Sequence, residues 1–390
     1  MSERHAAVPR DVAPVRAPAL SWAQAAAWRM QQHFLVQRAP AERMLDVLAA
    51  IGGAQAQVMS CAALALWARV EGLRAGDVPA ALWEQRTLVK TWAMRGTLHL
   101  LPAAELGLWH AALALDSRYV RSRAWLEYYG LDVEGVDALV NAIDRVLDGR
   151  TLTRAEIATE VAQALGRPDL AERLLGGWGS LLKPAAYRGK LCFAPGEGQN
   201  VRFTNPASWL GPGRAVATEA ALHEVARRYF ERYGPATRRD LQLWLGVTAK
   251  RAALMIAALG DDLAPVEVEG RRAWLPAAHV GAVRAVRPGG VTRLLPGFDQ
   301  YTLGMSAHAA SLLQGQPRNR VFRTAGWIAP VVLTDGFVTG VWRHERKGQR
   351  VTVQIEPFTP FSSIQREAVA AEVERLAGFL GGTPELRWGG

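Results

Sequence analysis

The chain has 390 residues, of which 49% are hydrophobic and 21% charged, with 46 Lys+Arg against 36 Asp+Glu and a formal net charge of +10. At roughly 100–200 residues per domain this length predicts two to four domains, and the composition excludes widespread disorder and any need for disulfide or metal staples. No uninterrupted apolar run reaches the ~18–20 residues of a membrane span, so no membrane partner is expected.

Residues 1–18 carry charges and prolines without an apolar segment, and are expected to form a disordered basic tail, not a secretory signal. Apolar spacing predicts helices over 22–32 and 41–51, then a break at Gly52-Gly53. Gln55-Ala56-Gln57 precedes an apolar helix over 58–70, and a short helix is expected over 78–85. Residues 88–92 and 97–101 read as two strands joined around Met94-Arg95-Gly96. Helices followed by a short hairpin outline a winged helix, and the order recurs. Thr153-Arg-Ala-Glu156 is a capping box before a helix to about Leu165; a second helix over 169–187 precedes strands 190–194 and 200–204. Helices over 218–233, from Thr237-Arg-Arg-Asp240, and over 248–259 then precede strands 266–268 and 273–275. Beyond them the character changes: 291–296, 328–334, 337–343 and 349–357 read as strands, with Asp335-Gly336 a hairpin turn and 362–380 a closing helix. The polar stretch 306–323 reads as a loop.

The expected class is therefore α+β: three tandem winged-helix units and a C-terminal β-rich element. The boundaries are 19–150, 151–210, 211–290 and 291–390. A basic chain with only five lysines among its cations suits a phosphate-backbone binder, although a GC-rich genome also favours arginine. Two cysteines, Cys61 and Cys192, make no disulfide framework, which suggests a reducing cytoplasm. Phosphate-loop, serine-hydrolase and zinc-protease signatures are missing, and the eight histidines include no i,i+4 pair, so neither metal nor cofactor is expected. Asp299 in Leu295-Pro-Gly-Phe-Asp-Gln-Tyr301 is either a general base or a turn cap, the cap being the simpler reading. Gln55 and Gln57 are two amides in an otherwise small, apolar stretch. They either satisfy backbone groups at a helix start or carry chemistry.

Several stretches resemble one family. Gly52-Gly-Ala-Gln-Ala-Gln57, Leu88-Val-Lys-Thr-Trp-Ala-Met-Arg-Gly-Thr-Leu-His-Leu-Leu101, Leu294-Leu-Pro-Gly-Phe-Asp-Gln-Tyr-Thr-Leu-Gly304 and Val332-Leu-Thr-Asp-Gly-Phe-Val-Thr-Gly-Val-Trp-Arg343 look like the AlkZ-like DNA glycosylases of the winged-helix superfamily. The resemblance covers roughly residues 20–380 and is specific in combination. It implies three winged-helix units in a C-shape around duplex DNA, and excision of N7-alkylated guanine, including bulky adducts and crosslinks. The family's catalytic Gln-x-Gln pair falls on Gln55 and Gln57. One departure is Leu303-Gly-Met-Ser-Ala-His308, where similar sequences read Leu-Gly-Tyr and then a polar, charged stretch.

N7-alkylation makes guanine cationic, so the base leaves neutral and no general acid is required. Gln57 is expected to hold water for C1′, with Gln55 its partner at the sugar or phosphate. Expected DNA contacts are Arg95 and His99, Arg318 and Arg320, His308 (or a surface residue), and a hairpin carrying Trp342, Arg343, His344, Arg346, Lys347 and Arg350. That hairpin is a groove probe or a solvated tip. The expected partner is double-stranded DNA carrying alkylated guanine, met by a monomer. The competing reading is a non-enzymatic DNA-binding protein, a regulator or a lesion-sequestering protein.

Overall fold

The computed structural model describes residues 17–114, 122–198 and 200–389, and the fold is mixed α+β. Residues 1–16 of the expected tail lie outside them. The chain enters as β1 (Ala19–Leu20) and α1 (Trp22–Gln32), which starts at a Ser21–Gln24 capping box. β2 (Ala39–Pro40), α2 (Met44–Ala50), β3 (Ala54–Gln55), α3 (Met59–Trp67) and β4 (Val70–Glu71) follow. β5 (Leu88–Trp92) and β6 (Leu98–Pro102) form the expected hairpin, and α4 (Leu106–Leu113) closes this region. Gln55, expected in the lead-in to a helix, instead lies on a strand. β3 pairs with β6, giving a three-stranded sheet of order β3-β6-β5.

The next region holds α5 (Arg123–Tyr129), α6 (Val133–Leu147), β7 (Thr151–Thr153), α7 (Arg154–Ala164), α8 (Asp169–Leu175), α9 (Lys183–Tyr187), β8 (Cys192–Glu197) and β9 (Asn200–Thr204). Its sheet repeats the pattern as β7-β9-β8. The helix expected over 169–187 is broken in two. Gly177 and Gly179 sit at φ +62° and +75°, and a Cβ on Gly179 would lie 2.8 Å from the Trp92 ring. Glycine is thus used where the indole of the first region packs onto the second.

The third region holds α10 (Pro206–Leu210), α11 (Thr218–Tyr233), α12 (Arg238–Leu245), α13 (Ala249–Leu259), β10 (Leu263–Val268), β11 (Arg271–Pro276) and α14 (Val280–Ala285). α12 starts where Thr237-Arg-Arg-Asp240 was expected to open a helix, and Thr237 and Asp240 form a capping box there. Here β1 from the start of the chain adds parallel to β10. The C-terminal element comprises β12 (Thr292–Leu295), α15 (Gln300–Gly304), α16 (Ala309–Leu312), β13 (Val331–Thr334), β14 (Phe337–Lys347), β15 (Arg350–Pro357), α17 (Ser363–Leu380) and β16 (Thr383–Trp388), in a sheet of order β12-β13-β14-β15-β16. The final strand was not expected. The stretch 306–323 is not a solvated loop: it forms short helical turns that bury Leu312, Leu313, Val321 and Phe322.

The cores run across these regions. One unites the first region, the β10–β11 hairpin and the C-terminal element; a second joins α4 and β5–β6 with α11–α13; a third fills the second region around Trp92 and Leu98. At the centre of the first core, Arg69 Nη1 and Nη2 donate to Asp299 Oδ2 and Oδ1 at 2.7 and 2.8 Å, both side chains fully buried. Asp299 Oδ1 also accepts the Tyr301 N–H at 2.8 Å, so Asp299 caps α15 and does not reach water. Asp299→Ala strands a buried guanidinium. It should cost about 3–5 kcal/mol of stability in urea unfolding, and replacing Arg69 with Met in that variant should recover part of the loss.

Candidate active site

Gly52-Gly53 ends α2 and turns the chain into β3, where the Tyr233 hydroxyl donates to the Ile51 carbonyl at 2.7 Å. Gln55 pairs with His99 across the ladder, and the Ala56 N–H continues it to the Leu98 carbonyl at 2.7 Å. Gln57 stands at the bend into α3. The two amides differ in environment: Gln55 is buried, at 7% exposure, whereas Gln57 is exposed. Gln57 Oε1 accepts the Leu98 N–H at 3.4 Å, a weak bond that leaves its second lone pair without a partner among the described residues.

Arg95 closes the cluster. It lies in the β5–β6 turn at φ +59°, a left-handed conformation that costs a non-glycine residue about 1–2 kcal/mol. Its Nη2 donates to Gln55 Oε1 at 3.3 Å and faces His99 Nε2 at 3.4 Å, while Nη1 donates to the Trp244 carbonyl at the end of α12. That approach requires Gly246, since a Cβ there would lie 3.0 Å from the Arg95 Cα and N. His99 Nδ1 is 3.0 Å from the Thr97 carbonyl, so Nδ1 carries the proton and Nε2 is bare toward the guanidinium. Burial, and then the Arg95 charge, hold the His99 pKa down at about 3. Burial lowers Arg95 to about 10, which leaves it charged at neutral pH.

The other expected contacts are placed differently. Arg95 and His99 do join the glutamines, but as inward partners. His308 is 8% exposed and is not a surface residue: its Nε2 bonds Asp240 Oδ2 at 2.8 Å, and its ring lies 5.0 Å from Trp22. Trp342 is 4% exposed and donates Nε1–H to the Leu295 carbonyl at 2.8 Å, so the hairpin does not present its indole. Around the same hairpin Arg343 bonds Gln354, Arg346 bonds the carbonyls ending α17, Lys347 pairs with Glu345 and Arg350 with Glu385. His344 is exposed there. Arg318 lies over Phe322; Arg320 lies over Phe358 and pairs with Glu356.

Two features escaped the sequence. Arg238 and Arg239, exposed in the first turn of α12, line a groove of about 580 Å³ with Gln242, Leu243 and Trp274. Their signal was the Arg-Arg pair inside the Thr237 capping box. Lys90 shares the glutamines' sheet, two strands away, but its Nζ lies 4.9 Å from the Phe193 ring centroid on the side of the second region. Among the described residues no group of three or more His, Cys, Asp or Glu is placed to hold a metal ion, and no single helix is long and apolar enough to cross a membrane.

Comparison with known proteins places the chain as a whole. The model of the family described as DNA glycosylase AlkZ-like matches residues 48–379. An interstrand DNA cross-link repair glycosylase of Streptomyces sahachiroi is 37% identical over 366 residues, covering 92% of this chain and 97% of the relative. The solved structure of the Streptomyces sahachiroi DNA glycosylase AlkZ superposes with a TM-score of 0.86 at 36% identity, covering 95% of this chain and all of that one.

Because the folded pKa of His99 is depressed, its neutral form stabilises the fold above pH 6.5, and that contribution is lost as pH falls from 6.5 toward 3. His99→Asn should therefore flatten, without abolishing, the acid dependence of urea-unfolding stability. His33 and His110, whose pKa values burial also lowers, add to that dependence, as do carboxylates held below their usual range by arginines, such as Glu224.

Proposed function

This chain belongs to the AlkZ-like DNA glycosylase family, and on that premise we propose that it hydrolyses the N-glycosidic bond of N7-alkylated guanine in duplex DNA, bulky adducts and crosslinks included. The observation that carries the reading is the asymmetry of the two amides: Gln57 exposed with a free lone pair, Gln55 held behind it by Arg95. The name of the Streptomyces relative supports crosslinks as substrates. Dedicated resistance to a DNA-alkylating compound is the biological role this substrate suits.

The chemistry matches neutral side chains. A guanine alkylated at N7 is already a cation, and breaking the bond to C1′ returns its electron pair to the base, which leaves neutral. The enzyme has to stabilise an oxocarbenium-like sugar and deliver water. Gln57 Oε1 accepts a hydrogen bond from that water and holds it on the attack line, while Gln55 engages the sugar or phosphate. Unmodified guanine lacks the positive charge and would be a poor substrate. Lys90 faces away from the glutamines, which supports a monofunctional enzyme without a Schiff-base step.

We read the architecture as three winged-helix units, over 19–150, 151–210 and 211–290, followed by the β-rich element over 291–390. The repeated sheet order in the first two regions supports this. A C-shaped monomer clamping duplex DNA from the minor groove need not swallow the base, and so accommodates lesions too large for a flipping pocket. Exposed Arg238 and Arg239 and the cations of the β14–β15 hairpin are the contacts we assign to backbone phosphate. A purely DNA-binding regulator draws no support from the family match.

Duplex carrying N7-methylguanine, and in parallel a bulky N7-guanine adduct, should release base and become alkali-labile. Gln57→Ala should slow release about 10²-fold or more while binding DNA as the parent does. Equal activity in that variant would remove the mechanism.

A further inference from the structure

We propose that Arg95 is a positioning residue that sets the polarity of the Gln55 amide, turning its N–H2 toward the substrate, and that Gln55 therefore recognises an acceptor oxygen of the sugar–phosphate backbone beside the lesion. The inference rests on the Gln55–Gln57 site proposed above. An amide is ambiguous, since either end can face a partner. Here the partner removes the ambiguity: a guanidinium can only donate, so the atom 3.3 Å from Arg95 Nη2 is Gln55 Oε1. Gln55 Nε2 makes no hydrogen bond among the described residues, yet it is not among their sealed, unpartnered polar atoms. It retains surface, and it is the end of the amide left for a ligand.

Arg95 is itself held. Its Nη1 is bound by the Trp244 carbonyl, an acceptor at the C-terminal end of α12 that favours a cation. His99, opposite Gln55 in the ladder, turns its bare Nε2 toward the same guanidinium. The strained backbone at Arg95 and the close approach of Gly246 lock the turn against α12. The helix that carries Arg238 and Arg239 at one end thus carries, at its other end, the carbonyl that holds the arginine behind Gln55. Phosphate contact by α12 and the orientation of Gln55 are mechanically linked through one side chain. Gln57, exposed and with one lone pair of its oxygen unpartnered among the described residues, takes the acceptor role, so the two glutamines are not interchangeable.

The test uses the full chain and duplex carrying N7-methylguanine, with single-turnover base release and DNA Kd measured separately. Arg95→Ala should slow release at least about tenfold while Kd changes less than about threefold, and added guanidinium ion should restore part of the rate. Gln55→Glu keeps an oxygen for Arg95 but offers a second oxygen where a donor is needed, so it should be as slow as Gln55→Ala. Gln57→Glu should retain more activity than Gln57→Ala. Gln55→Glu leaves the Arg95–Trp244 bond in place, so it decides the matter even where Arg95→Ala does not fold. Unchanged release in Arg95→Ala, a Kd that weakens by the same factor as the rate, or a Gln55→Glu clearly faster than Gln55→Ala would each overturn the proposal. Full activity in Gln57→Ala would instead remove the parent reading, and none of the Arg95 or Gln55 results does that.

Discussion

The buried Arg69–Asp299 pair is the constraint on which the rest of the structure depends. Each ion taken from water costs several kcal/mol, and only a two-pronged contact with its remaining lone pairs satisfied offsets that cost. Here both prongs are made, Arg69 Nη1 also donates to the Ala65 carbonyl, and Asp299 also takes the Tyr301 N–H, while Arg69 Nε stays buried without a partner among the described residues. Arg69 follows directly from α3, the helix that begins just after Gln57. Arg375, from α17, donates to the Trp67 and Val70 carbonyls beside it. The C-terminal element therefore grips the far end of the helix whose near end carries the site.

Similar ties converge on the other side of Gln55. Arg29 donates to the Tyr233 and Pro235 carbonyls, and Tyr233 donates to Ile51, just before the glycine pair. Arg95 reaches from the first sheet to the end of α12. The strand that carries Gln55 is short, only Ala54–Gln55, and would have little stability alone. Its position is imposed by its ladder partner β6 and, through Tyr233 and Arg95, by elements more than a hundred residues away. Rigid support of this kind suits the role we propose for the two glutamines, because neutral amides supply geometry with little driving force for proton transfer.

The net charge of +10 is a poor map of the DNA face. Many arginines act within the protein. Arg38 pairs with Glu372, Arg346 binds the last carbonyls of α17, and Arg69, Arg95 and Arg375 hold backbone or side chains inside. A guanidinium suits this work because its planar fork satisfies two acceptors at once while its stem packs against apolar or aromatic neighbours, as Arg375 does over Trp67. The β14–β15 hairpin remains a basic surface, with four cations against Glu345 and Glu385, but its indole belongs to the core.

What the sequence determined was local. Capping boxes at Thr153, Thr237 and Ser362 start helices where the spacing of Ser or Thr and its carboxylate or amide partner says they should, and Asp335-Gly336 turns the β13–β14 hairpin. Those signals act within a few residues and are readable in one dimension. The Gln-x-Gln motif was legible too, by its oddity in an apolar stretch. The tertiary structure alone decided what each side chain does. β3 and β16 are strands because distant partners offer backbone edges, and the helix over 169–187 breaks because Trp92 needs the space at Gly179. His308 and Trp342 looked like surface contacts and are buried because Asp240 and the Leu295 carbonyl, far off in sequence, complete their hydrogen bonds. A polar residue announces only that it needs a partner; whether that partner is DNA, water or another part of the same chain is settled by which segments the fold brings together.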